Sequence, residues 1–118
     1  MKQQFTIPKW RPTRLNEILR MGPFTRSKRK KSDAGLIAHY SRGVTRAIGK
    51  RRVSLTIVLK PRGQEGDDDG LWKFLLDGLV KCGALLEDSR QFVEMGGIEY
   101  QRGTEKTWGT TVTLEDVE

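Results

Sequence analysis

The chain has 118 residues, 36% of them apolar, one cysteine and a formal net charge of +7. That length suits one domain with a modest core, a size often stabilised by dimerisation. The lone Cys82 excludes an internal disulfide and suits a reducing cytoplasm, and no apolar run is long enough for a membrane span or a secretory signal.

Residues 3–7 read as a short strand ended by Pro8. Pro12, Gly22 and Pro23 make residues 8–24 mostly a connection, with a helical turn at Leu15–Arg20. The run Arg26-Ser27-Lys28-Arg29-Lys30-Lys31 lies in a basic, flexible segment of about residues 22–32. Ser32 and Asp33 then suit a helix N-cap, with Leu36, Ile37, Tyr40, Val44 and Ile48 as the buried stripe and Gly49 as the stop. Strict alternation from Arg52 to Lys60 predicts a strand, and residues 61–66 a loop. A second helix is expected over 69–82, closed by Gly83, followed by strands at 92–101 and 107–114 around a turn at Gly103. The order strand, helix, strand, helix, strand, strand predicts an α+β domain, a mixed sheet packed with two main helices.

Charge is divided along the chain. Residues 1–62 carry 17 Lys/Arg against Glu17 and Asp33; residues 63–118 carry 5 Lys/Arg against 13 Asp/Glu. A basic half suits an anionic partner such as nucleic acid, and an acidic half suits a cation. A solvated polybasic surface without catalytic meaning fits the same numbers.

The acids are concentrated at Asp67-Asp68-Asp69. One aspartate is enough to cap a helix, and three adjacent ones repel each other unless a cation or a basic neighbour offsets them. On a helical wheel, Leu71, Trp72, Leu75, Leu76, Leu79, Val80 and Cys82 fill one arc. Asp69, Lys73 and Asp77 climb one edge at intervals of four. A chain that turns at Gly83 and runs back brings Asp88 towards the helix start. Hard oxygen ligands suit Mg²⁺. One Cys and one His exclude a zinc cluster, and His39 is best read as an ordinary surface or half-buried histidine. No nucleophile elbow or phosphate loop is present.

The run Asp67-Asp68-Asp69-Gly70-Leu71-Trp72-Lys73-Phe74-Leu75-Leu76-Asp77-Gly78-Leu79, then Gly83, then Glu87-Asp88, resembles the motif of RusA-like Holliday junction resolvases. That motif reads Asp-x-Asp-Asn-x-x-Lys-x-x-x-Asp-x-Leu, a glycine, and an acidic pair before a strand. Ser89-Arg90-Gln91 and Val93 resemble its continuation, and Ile7-Pro8 and Leu15-Asn16 faintly resemble its first strand and loop. The resemblance implies a single RusA-like domain over residues 1–118 that dimerises and cuts branched, four-way DNA. It implies that Asp67, Asp69 and Asp88 are the Mg²⁺-binding catalytic acids, that Lys73 is linked to catalysis and that Asp77 is a supporting acid. Gly70 stands where the family has Asn, whose side chain can cap the helix or orient a ligand.

On this reading the metal activates a water and stabilises charge on the phosphate. Lys73 either steadies a phosphate oxygen or merely neutralises Asp69 and Asp77. Arg26, Lys28, Arg29, Lys30 and Lys31 would touch backbone phosphates without reading bases. A non-catalytic or degenerate nucleic-acid-binding protein of the same fold, and a flap or fork nuclease, are the alternatives.

Overall fold

A computed structural model describes residues 1–65 and 68–117, and for Asp68 and Asp69 the backbone alone. The elements in chain order are β1 (Lys2–Pro8), α1 (Leu15–Arg20), α2 (Pro23–Tyr40), β2 (Arg51–Leu59), a 3₁₀ turn (Asp68–Leu71), α3 (Lys73–Lys81), β3 (Val93–Arg102) and β4 (Gly109–Asp116). The expected α+β class holds: three helices accompany one mixed four-stranded sheet of order β1-β4-β2-β3. No helix among the described residues is long and apolar enough to cross a membrane.

The alternation read from the sequence explains β2. Val53, Leu55, Ile57 and Leu59 are buried, while Arg52, Ser54, Thr56 and Val58 lie on the opposite, half-covered face. β4 runs antiparallel to both β1 and β2, and its Thr110, Val112 and Leu114 join the buried side. Arg52 sits on the other face, with ion pairs to Glu94 of β3 and Glu115 of β4 that tie three strands together.

The last two strands do not form a hairpin. β3 pairs in parallel with β2, and β2 separates it from β4. A parallel neighbour needs a crossover connection, and α3 supplies it. The β2–β3 ladder slips between Val53 and Leu55, opposite Gly96. A Cβ at Gly96 would lie 2.8 Å from the backbone carbonyl oxygen of Val53, so the closeness of the strands requires glycine here.

α2 departs most from expectation. It starts at Pro23, with Gly22 as N-cap, and ends at Tyr40. Proline at the first helical position loses no hydrogen bond and presets φ. Arg and Lys are good helix formers, so the basic run is helical rather than a mobile connection. Asp33 is therefore no N-cap. It lies mid-helix and is buried. Of the expected stripe, Ile37 is fully buried and Leu36 and Val44 are partly so; Tyr40 is exposed and Ile48, beyond the helix, is 96% exposed. The segment after α2 is pinned instead through Ala47, whose N–H donates to the Gly83 carbonyl.

The second expected helix is split into the 3₁₀ turn and α3. Its arc is confirmed at Leu71, Trp72, Leu75, Leu76 and Leu79, and Phe74 is buried as well although the wheel puts it off the arc. Leu79 and Leu75 pack with Ile37 and the sheet residues Val53, Leu55 and Ile57 in one core. α2 approaches α3 closely at Gly78, where a Cβ would meet Ile37 Cδ1 at 2.6 Å.

Candidate metal centre and basic surfaces

The acidic segment follows the exit of β2, and two arginines fix that exit. Arg102, at the end of β3, donates from Nη1 to the carbonyls of Lys60 (2.8 Å) and Gly63 (2.5 Å). Arg11 donates from Nη1 to the Gln64 carbonyl at 2.9 Å. Three backbone acceptors in a loop thus gain charged donors, and each such bond is worth more than a neutral one. Neither contact has a signature in the sequence, since the partners are peptide carbonyls.

Asp67 lies outside the described residues. Asp69 belongs to the 3₁₀ turn, with its side chain also outside the description, and the buried Gly70 and Leu71 anchor that turn. Lys73 opens α3 and is exposed. Because a 3₁₀ turn and Trp72 precede it, the even four-residue spacing expected of Asp69, Lys73 and Asp77 is helical only from Lys73 onward. Asp77 pairs with Lys30 of α2 at 3.3 Å and so bridges the two helices.

The chain turns back at Gly83, which holds the left-handed φ of +85°. Asp88 then lies exposed in the connection to β3. It lines a shallow groove of about 330 Å³ with Lys30, Asp77, Val80, Lys81 and Glu87. The structure therefore brings Asp88 together with Asp77 beside the second half of α3, whereas Asp69 precedes its first turn. From Lys73 to Lys81 the helix rises ~12 Å. Among the described residues, no group of three Asp, Glu, His or Cys side chains is placed to hold a metal.

The basic residues sit on α2. Arg26, Lys28, Arg29 and Lys31 are exposed, and Lys30 is half-buried in its pair with Asp77. Lys28 Nζ lies 5.8 Å from the centre of the Phe24 ring, itself 80% exposed. Four exposed cations thus stand on one rigid helix. His39 is exposed and meets the Tyr40 ring edge-on, in line with an ordinary surface residue.

Sequence reasoning missed two groups. Asp33 accepts hydrogen bonds from Thr13 Oγ1 (2.6 Å) and Trp10 Nε1 (3.2 Å). Burial raises its pKa, an effect its two hydrogen bonds partly oppose. Arg11 has Nε and Nη2 buried without a hydrogen-bond partner among the described residues, and burial followed by the nearby Arg14 lowers its pKa. The Pro-rich segment around Arg11 carries no periodic pattern, so only its density of cations hinted at a role.

No family model matches the sequence, and no curated protein matches it significantly.

Proposed function

We propose that the chain is a Mg²⁺-dependent endonuclease acting on branched DNA, with four-way junctions as its preferred substrate and a homodimer as its working form. The observation that carries this reading is the ordered set Asp67-x-Asp69, Lys73, Asp77 and Glu87-Asp88. Its carboxylates have the hardness and number that Mg²⁺ requires. The exposed cations of α2 support it, because a nuclease must hold a polyanion beside its metal.

In this mechanism Asp67, Asp69 and Asp88 would hold the metal, which would supply an activated water and charge stabilisation on the phosphate. Lys73 reaches from the start of α3 to a phosphate oxygen. Asp77 has a supporting role, tying α3 to α2 through Lys30. Arg26, Lys28, Arg29 and Lys31 grip the backbone of the DNA arms without regard to sequence.

A Mg²⁺ titration by calorimetry tests the metal assignment residue by residue. Asp69→Asn and Asp88→Asn are each expected to weaken Mg²⁺ binding at least about tenfold, ~1.4 kcal/mol. Asp77→Asn is expected to retain it. Wild-type affinity in both Asp69→Asn and Asp88→Asn would remove the site. A non-catalytic nucleic-acid-binding protein is the second reading, favoured by the place of Asp88 beside Asp77 and Lys30 rather than at the start of α3. It predicts DNA binding indifferent to Mg²⁺ and to either substitution.

A further inference from the structure

The first turns of α2 set an exposed aromatic ring among cations. Phe24 is 80% exposed; the other exposed aromatic, Tyr40, is 37% exposed and lies against His39. A single apolar side chain at a surface needs no explanation, but its setting can. From Ile18 to Ser32 the chain carries six Lys/Arg and no carboxylate. Lys28 Nζ stands over the Phe24 ring, 5.8 Å from its centre, within the range of a cation–π contact. With that cation on one face and the residue so exposed, the opposite face of the ring is open to a ligand.

The helix orients these groups together. At ~100° per residue, Phe24, Lys28 and Lys31 fall within about 60° of one another, on the side opposite the buried Asp33 and Ile37. Lys28 and Lys31 follow the ring at rises of ~6 and ~10.5 Å. A strand laid along this ridge meets an aromatic face first and two cations after it. Cations suit phosphates, and a phenyl ring suits the π-face of a base. Bases inside a duplex have both faces covered by their neighbours, so a protruding ring reaches a base only where stacking is interrupted. An anionic membrane surface is the rival partner. Lying on one takes a continuous apolar face, and beyond Phe24 the ridge carries no large apolar side chain.

We propose that Phe24 is a stacking platform for an unpaired base of a bound nucleic-acid strand, whose adjoining phosphates are held by Lys28 and Lys31. That this strand belongs to a nuclease substrate rests on the function proposed above; the platform itself does not. Single strands and branch points offer such bases, and an unbroken duplex does not. The platform therefore adds to the uniform phosphate grip of α2 a preference for open nucleic acid.

The test uses the full chain in EDTA, where no metal-dependent step occurs. A fluorescein-labelled oligothymidylate and a long blunt duplex are titrated separately and followed by anisotropy. Phe24→Leu keeps an apolar side chain and removes the ring. It is expected to weaken oligothymidylate binding roughly 5- to 10-fold, to leave the salt slope unchanged and to alter duplex affinity less than about twofold. Phe24→Trp, which keeps an aromatic face, is expected to bind the oligothymidylate at least as well as the wild type. Lys28→Gln and Lys31→Gln are each expected to reduce the salt slope by about 0.7. The exposure of Phe24 makes these variants safe for the fold, and circular dichroism checks it. The proposal is overturned if Phe24→Leu binds the oligothymidylate like the wild type, if it loses single strand and duplex alike, or if Phe24→Trp binds as poorly as Phe24→Leu. Phe24-dependent sedimentation with phosphatidylserine vesicles, with oligothymidylate binding indifferent to Phe24, would replace it with a membrane contact. Failure here together with Asp69-dependent DNA cleavage would reject the platform alone; success here without cleavage would reject only the nuclease.

Discussion

Asp33 carries an ionisable group into the middle of a helix and into the protein interior. It is 3% exposed, and its carboxylate is the acceptor for both Thr13 and Trp10, which fastens the segment after β1 onto α2. Asp33→Ala would leave two donors without an acceptor, and a loss of about 1–3 kcal/mol in urea unfolding is expected. The pH dependence has a defined sign. The folded-state pKa stands above the ordinary 3.8, so between these two values the native state holds a proton that the unfolded chain releases. This group's contribution to stability therefore falls as pH rises through that window. Asp33→Asn is expected to abolish that component of the pH profile. Nothing in the sequence distinguished this aspartate from a cap, because Ser-Asp before an apolar stripe is what an N-cap looks like. Its partners lie 20 and 23 positions away, and only the fold brings them together.

At the scale of elements, the contact between α2 and α3 depends on the absence of a side chain at Gly78. Alanine there would gain helix propensity, but the Ile37 side chain it must displace is itself fully buried. Gly78→Val is expected to cost about 1–3 kcal/mol through overpacking, read as a lowered Tm. Gly97→Ala on β3, where a Cβ meets nothing within 4 Å, serves as the matched control. Elements with strong local periodicity were legible in advance: β1, β2 and the apolar arc of α3 all lie where alternation or helical spacing puts them. The start of α2 was not, because its first two turns bury no apolar residue, the Phe24 ring being exposed, and are stabilised by Lys30–Asp77 and by packing further along. Pro23 after Gly22 was the available signal for that start. The β2–β3 parallel pairing was also hidden, since strand order depends on the crossover rather than on any local pattern.

For the whole molecule, the uneven charge of the sequence has a structural counterpart. Arg29 of α2 shares a groove with Lys9, Arg11 and Arg14, while Asp77, Glu87 and Asp88 share a separate groove beside α3 with Lys30 and Lys81. Arg51 joins the parts: 2% exposed, it donates to the Thr45 and Ala84 carbonyls and to Asp116, linking the loop after α2, the turn after α3 and the end of β4. Of the candidate site, the residue types and their order were legible in the sequence. Their mutual placement was not, since Asp88 meets Asp77 and Lys30 through tertiary folding. The account stands most directly on the rate at which the wild-type protein and its Asp69→Asn and Asp88→Asn variants cut a synthetic four-way DNA junction in Mg²⁺. Metal-dependent cleavage by the wild type, reduced at least 100-fold in each variant while junction binding in EDTA persists, is the predicted result, a loss of about 2.7 kcal/mol in transition-state stabilisation. Cleavage by both variants at the wild-type rate, or a wild-type protein that binds the junction and leaves it intact in Mg²⁺, would contradict it.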